Sequence, residues 1–205
     1  MIGVICPSVF EYKALDKAAL RRKSVILVKS GMGKLRAMYA CAKLHREQPA
    51  LAHILLIGFA GGLKGGLKIG DVVEPYLFIE QDYYAEPFEK FPNQILRAPF
   101  KKLIHYSSGS VMLTQDRFLT ENPYRTGPYA RRFTKVTCDM ESYAVAYYCQ
   151  QASIPYSVVK LVSDSADKTA NHDFLNACKR LAPKLNRTVL DAANLIGKGS
   201  SLLKD

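Results

Sequence analysis

The sequence predicts an α/β fold, in which short buried strands alternate with helices around one sheet. Apolar runs of strand length, such as residues 25–28, are followed by segments with helical spacing, such as residues 33–45. A chain of 205 residues with 48% hydrophobic content can bury one sizeable core. We therefore expect a single domain that covers residues 1–205.

Each element of this fold follows from its local pattern. The predicted strands, rich in β-branched and aromatic side chains, are residues 2–6, 25–28, 53–57, 71–79, 110–113 and 157–162. The predicted helices are residues 33–45, residues 140–151 and one amphipathic helix from residue 173 onward, bent or interrupted at Pro183. The glycines of residues 58–62 predict a loop after the third strand.

The net charge of +11 raises the question of nucleic-acid binding. The basic residues lie in small scattered groups without a long tract or a recognisable nucleic-acid motif. A solvated basic surface is therefore the favoured interpretation, with no nucleic-acid partner. The alternative, RNA binding, predicts salt-sensitive association with oligonucleotides.

The start of the sequence, the cysteines and the histidines indicate the cellular location, the redox state and the need for a cofactor. The apolar start is short and is stopped by Pro7, and no apolar run reaches membrane length, so we expect a soluble, cytoplasmic protein without a membrane partner. The five cysteines are widely spaced and without a C-x-x-C pair, which is typical of reduced core residues. The four histidines are isolated, so neither a metal nor an organic cofactor is expected.

Acidic residues stand at the ends of predicted strands. Glu11 follows the first strand, Asp164 follows the last, and Glu141 begins the helix before that last strand. Because ligands of open α/β sheets collect beyond the carboxyl ends of the strands, these acids are candidates for one site. The competing interpretations are a solvated helix-start residue for Glu11 and a simple tight turn for the glycine segment.

The ordered set of motifs resembles the nucleoside phosphorylase and nucleosidase superfamily. The motifs are Glu11, SGMG at 30–33, AGGL at 60–63 with IGDVV at 69–73, DRF at 116–118, ME at 140–141 and SD at 163–164. Within the superfamily, the sequence is most similar to the 5'-methylthioadenosine/S-adenosylhomocysteine nucleosidases. The resemblance implies a three-layer αβα sandwich with a central mixed twisted sheet, as in the nucleoside phosphorylases.

The same resemblance implies cleavage of the bond between ribose C1' and purine N9. That cleavage leaves positive charge on the sugar and negative charge on the base. By carry-over, Asp164 is the general acid at purine N7, and Glu11 orients and deprotonates the attacking water. Glu141 accepts hydrogen bonds from the ribose hydroxyls and stabilises the cationic sugar.

The resemblance also implies which residues bind the substrate. Met140 is expected to pack on the sugar and Phe118 to stack on the purine, although either residue could instead be plain core. The expected substrate-binding residues are Met140, Phe118, Leu119, Ala60, Gly61, Ser163 and Asp139. The expected ligand is a small purine nucleoside.

The nucleophile is water or phosphate, and the residues after the first strand favour water. Residues 6–11 contain no arginine of the kind that phosphorylases place there, and they do contain the glutamate that the nucleosidases use. Lys13, Lys34 and Arg36 remain candidate anion contacts, and residues 139–142 also resemble phosphorylases that act on adenosylated hopanoids. Phosphorolysis and a non-catalytic nucleoside-binding relative are the alternatives.

The sequence also departs from the nucleosidase pattern. Residues 20–24 lack a strand pair that the nucleosidases carry, Phe59 replaces a small residue, and Asp139 replaces a glutamate. Residues 81–88 differ, which leaves the 5' substituent open among methylthio, homocysteinyl, futalosine-like and bulkier groups. The aromatic residues 83, 84, 88 and 91, with the family resemblance, predict a homo-oligomer, most simply a dimer.

Overall fold

The computed structural model describes residues 1–83, 95–99, 103–121 and 132–199. The strands are β1 (Ile2–Cys6), β2 (Val25–Lys29), β3 (His53–Lys64), β4 (Val72–Glu80), β5 (Ile95–Arg97), β6 (Ser108–Thr114), β7 (Val136–Asp139) and β8 (Tyr156–Asp164). The helices are α1 (Val9–Ala14), α2 (Lys17–Arg21), α3 (Lys34–Glu47), α4 (Ser142–Gln151), α5 (Ala170–Arg180) and α6 (Ala182–Gly199).

All of these strands belong to one mixed sheet, in the order β2-β1-β3-β7-β6-β4-β5, with β8 paired to both β3 and β4. The long strand β3 runs parallel to β1 and β8 and antiparallel to β7. Because β7 pairs with β6, β6 with β4 and β4 with β8, these strands and β3 close into a ring. The closure brings the ends of β3, β7 and β8 to one place.

Helices cover both faces of the sheet. Strand residues alternate between two cores, as where Leu55 and Ile57 face one side and Ile54 and Leu56 the other. Helices α5 and α6 pack on the first side through residues such as Leu185, while α3 and α4 pack on the second. The predicted three-layer αβα sandwich with a central mixed sheet is therefore confirmed. A single domain for the whole of 1–205 stays a prediction.

The glycine segment and the helix starts differ from the prediction. The predicted loop at residues 58–62 is wrong, because these residues continue β3 and pair with β7 and β8. The second predicted helix, expected at residues 140–151, begins at Ser142, with Glu141 as its N-cap. The predicted C-terminal helix is interrupted, but the break is at Leu181, between α5 and α6. Pro183 itself lies in the first turn of α6, where its missing N–H costs little.

Several short elements were not predicted. These are α1, α2, β5 and β7, each of six residues or fewer, too short for a periodic pattern to develop. Residues 22–24 alone join α2 to β2, in keeping with the expected lack of a strand pair there. In the part of the chain that the structure describes, no helix is long and apolar enough to cross a membrane.

Candidate active site

A cavity of about 470 Å³ opens at the carboxyl ends of β1, β3 and β8. Its walls come from the start of α1, the far half of β3, residues 117–119, the β7 to α4 connection and the first turns of α5. Glu11, Glu141 and Asp164 all line it, and each is at most 4% exposed. The three acids that the sequence singled out therefore share one cavity.

Glu11 is held by the backbone on both sides of its carboxylate. It is the third residue of α1 and forms a capping box with Ser8, whose N–H donates to Glu11 Oε2 at 2.6 Å. The N–H of Phe59, in β3, donates to Glu11 Oε1 at 2.9 Å. Gly58 makes room for this carboxylate, since a Cβ built there would collide with Glu11 Oε1. Each oxygen keeps a second lone pair for another partner.

Glu141 lies between a backbone amide and a buried lysine. The N–H of Gly33 donates to Glu141 Oε1 at 3.0 Å, and Lys160 Nζ lies 3.4 Å from Oε2. Burial raises the pKa of Glu141 to about 7, although the positive charge of Lys160 opposes the shift. The site therefore holds a carboxylate whose ionisation falls within the neutral pH range.

Lys160 is a buried charged residue of the site that was not predicted from the sequence. Its side chain is fully buried in β8, and Nζ lies 2.9 Å from Asp139 Oδ2 as well as near Glu141. Burial alone would lower the pKa of Lys160, but the charges of Asp139, Glu141 and Glu11 raise it above its ordinary value, so the lysine is cationic. A lysine within the apolar run 157–162 was the signal that could have found it.

Asp139 lines the cavity, but its carboxylate serves other partners. Besides Lys160, it accepts hydrogen bonds from Thr114 Oγ1 at 2.8 Å and from the backbone N–H and hydroxyl of Ser142. Its side chain is 1% exposed. These contacts fix the start of α4 and the position of Lys160, and a direct contact of Asp139 with substrate stays a prediction.

Asp164 ends β8, where the pairing with β3 is irregular. Ala60 pairs with Val162 and Gly61 with Asp164, so Ser163 is an extra residue that redirects the strand end. Asp164 accepts hydrogen bonds from Ser163 Oγ at 2.6 Å and from the N–H of Ala166 at 2.8 Å. Burial nevertheless raises the pKa of Asp164 above its ordinary value, as proton donation near neutral pH requires.

Aromatic side chains form the outer wall of the cavity. The Phe174 ring contacts Phe118, Phe59 and Phe10 edge to face, with ring centroids 5.6, 6.0 and 6.5 Å away. Phe118 is 37% exposed, so it is not a plain core residue. The apolar spacing from residue 173 onward predicts that Phe174 lies on the buried face of a helix, but Phe174 lines the cavity. The same spacing predicts that Leu195 is buried, but Leu195 is exposed, and Ile196 is buried in its place.

The predicted anion contacts are not at the site. Lys34 Nζ is bound by Glu80 at 2.7 Å and by Asp82 at 2.5 Å, with Asp116 at 3.9 Å, which corrects its assignment as a phosphate contact. Arg36 donates to the carbonyl of Met32, and neither Arg36 nor Lys13 lines the cavity. Among the described residues that line the cavity, Arg117 is the one lysine or arginine.

The structure brings together every predicted site residue. Around the cavity it places Glu11, Glu141, Asp164, Met140, Phe118, Leu119, Ala60, Gly61, Ser163 and Asp139. Residues that the prediction did not include also line it, among them Phe59, Cys138, Asn171 and Leu175. Over the described ranges, no group of three or more His, Cys, Asp or Glu side chains is arranged to hold a metal ion.

Comparison with known proteins identifies a family model and relatives that match this chain. A family model described as the phosphorylase superfamily matches residues 16–194. The 5'-methylthioadenosine/S-adenosylhomocysteine nucleosidase of Shewanella frigidimarina is 29% identical over 170 residues, which are 74% of this chain and 73% of that protein.

Solved structures agree on the fold. Futalosine hydrolase of Helicobacter pylori superposes with a TM-score of 0.80 at 18% identity, covering 94% of this chain and 97% of the other. A 5'-methylthioadenosine/S-adenosylhomocysteine nucleosidase from S. pneumoniae, bound to the transition-state inhibitor MT-ImmA, gives 0.79 at 19% identity, covering 95% and 99%.

Proposed function

The chain belongs to the phosphorylase superfamily, and from that premise we propose that it is a purine nucleosidase that cleaves the C1'–N9 bond of a 5'-modified adenosine with water. The observation that carries the proposal is the meeting of Glu11, Glu141 and Asp164 in one cavity. Each acid has a different environment, as three distinct roles require. The nucleosidase of Shewanella frigidimarina supports the substrate class.

The roles follow from these environments. Asp164, whose pKa burial raises, donates a proton to purine N7 so that the base leaves neutral. Glu141 faces the ribose as an anion held by Lys160 and stabilises positive charge as it develops on the sugar. Glu11, fixed by two backbone amides, uses a free lone pair to deprotonate the attacking water.

Water is favoured over phosphate by the charges around the cavity. Phosphate needs several cationic or amide donors, but Lys34 is neutralised by carboxylates and Lys160 is bound to two acids. The buried acids near the nucleophile would also repel a phosphate dianion. Phosphorolysis is the second candidate, because Arg117 lines the cavity.

The test is release of free base. We incubate the protein with methylthioadenosine, adenosine and inosine, each with and without inorganic phosphate, and quantify the base by chromatography. Release from methylthioadenosine that does not depend on phosphate is expected. Release that depends on phosphate would show that the protein is a phosphorylase. No release by a folded protein would contradict the proposal that it is an enzyme acting on purine nucleosides. Asp164→Asn, which cannot donate the proton, is expected to abolish release.

We also propose that the protein is a cytoplasmic homodimer. Of the aromatic residues behind the original prediction, Tyr83 is described and is 37% exposed, whereas residues 84, 88 and 91 lie outside the described residues. Met32, Leu35 and Tyr39, at and near the start of α3, add exposed apolar surface. Light scattering over a concentration series tests the assembly, and a monomer at all concentrations would contradict it.

A further inference from the structure

An ionic cluster beside the cavity joins three separate parts of the chain. Lys34, the first residue of α3, places its ammonium group between Glu80 at the end of β4, Asp82 just after it, and Asp116. The N–H of Lys34 donates to Asp116 Oδ1 at 2.8 Å, and the N–H of Asp116 donates to Asp82 Oδ2 at 2.9 Å. We call these residues the Lys34 cluster.

The cluster is half-buried, and its charges depend on one another. The Lys34 side chain is 18% exposed and that of Glu80 is 22% exposed. Burial works against the lysine's charge, but the hydrogen bonds to Asp82 and Glu80 raise its pKa above the ordinary value. Burial likewise disfavours the ionised form of Asp82, while the bond from Lys34 lowers its pKa. Among the described residues, Lys34 is the cation paired with these three acids, so its removal would leave them to repel one another.

The residues next to the cluster along the chain either line the cavity or bind a residue that lines it. Gly33, directly before Lys34, gives its N–H to Glu141 Oε1. Arg117, Phe118 and Leu119, directly after Asp116, line the cavity. The approach is close, because a Cβ at Gly33 would lie 3.0 Å from Asp116 Oδ1. One set of contacts therefore sets the position of the amide that holds Glu141 and of the segment that carries Phe118.

We propose that Lys34 is a positioning residue that couples the carboxylate facing the ribose to the segment facing the base. This proposal rests on the proposed function, which identifies the carboxylate of Glu141 as facing the ribose and the 116–119 segment as facing the base. Without the ammonium group, Asp116 stays bound to the Lys34 N–H, but Glu80 and Asp82 lose the cation that they share. The 116–119 segment then shifts together with Asp82, and the Gly33 amide moves away from Glu141. The first change weakens base binding, and the second slows the chemical step.

The experiment compares Lys34→Met with Lys43→Met, a control on the same helix. Lys43 is exposed and pairs weakly with Glu47 at 4.0 Å, so its replacement is expected to change nothing measurable. For Lys34→Met we expect kcat/KM to fall by about 100-fold, shared between KM and kcat, as for a displacement of about 1 Å. Adenine affinity, measured by calorimetry, is expected to fall by about tenfold at the same time. Lys34→Arg keeps the charge and should recover most of both.

Two results would overturn the proposal. In the first, Lys34→Met lowers only the melting temperature, with KM, kcat and adenine affinity unchanged, which is what a purely structural role predicts. In the second, it removes only a phosphate-dependent activity, which would make Lys34 an anion contact. The adenine measurement does not require turnover, so it tests Lys34 separately from the proposed function.

Discussion

Replacing Lys160 by methionine tests the electrostatic design of the site. The lysine is fully buried and lies 2.9 Å from Asp139 and 3.4 Å from Glu141. Breaking a buried ion pair by removing one partner costs about 3–5 kcal/mol, because the other charge stays buried without compensation. We therefore expect Lys160→Met to lower the free energy of unfolding by about that amount at pH 8.

The loss should depend on pH in a defined direction. Lys160 lowers the pKa of Glu141, which burial has already raised to about 7, so without the lysine that pKa rises further. A carboxyl group whose folded-state pKa is raised stabilises the fold below its unfolded-state pKa of 4.5, and this contribution is lost as pH rises through the folded value. The variant is therefore expected to be closer to wild type at pH 5.5 than at pH 8.

Urea unfolding at both pH values measures this difference, and base release across the pH range measures its effect on activity. Since catalysis needs ionised Glu141, the acidic limb of the activity profile should move to higher pH in the variant. Lys29→Met, at an exposed end of β2, is the matched strand control and should stay within about 0.5 kcal/mol of wild type. A loss below about 1 kcal/mol, or the same loss at both pH values, would refute the reasoning.

Three further predictions follow from the site. Gly58→Ala should lower kcat by about 100-fold in a folded protein, because the new Cβ collides with Glu11 Oε1. The control is Gly197→Ala in α6, whose new Cβ meets no atom within 4 Å, so its activity should be unchanged. Equal activity of the two variants would contradict the role of Gly58. Ser163→Ala removes a hydrogen bond that lowers the pKa of Asp164, so the alkaline limb of kcat should move to higher pH, and a downward move would show that another group sets that limb. All five cysteines are buried, and burial raises the pKa of the Cys6 and Cys138 thiols. Ellman's reagent should therefore label the cysteines only when the protein is unfolded. Rapid labelling of the native protein would contradict this expectation.

The sequence predicted the layers and the acids because both leave local signals. Strands such as β1 and β8 are buried on both sides and therefore read as continuous apolar runs. Glu11 was predicted because it follows the first strand. Ser8 and Glu11 also form a capping box, a sequence signal that would have predicted α1. Glu11 and Asp164 meet because β1 and β8 both run parallel to β3 and end on the same edge. Glu141 joins them from β7, which runs antiparallel to β3 and pairs with it at Gly61.

Three features could not be predicted from the sequence, because each depends on contacts between residues that are distant along the chain. The glycines at residues 58–62 resemble a loop locally, yet pairing with β7 and β8 keeps them in a strand. Lys34 was a candidate anion contact in the sequence, because its partners Glu80 and Asp82 are more than forty residues away and reach it only in the folded chain. Lys160 was hidden in an apolar run, because its partners Asp139 and Glu141 precede it by about twenty residues and meet it only in the folded sheet.

Strand β8 carries both Lys160 and Asp164, and it lies between β3 and β4 in the middle of the ring. Central strands exchange their amide hydrogens only when the whole molecule opens, whereas edge strands and loops open on their own. The backbone amide of Lys160, in the interior of β8, should therefore exchange its hydrogen only at the rate of global unfolding, whereas the amides of residues 117–119 should exchange earlier.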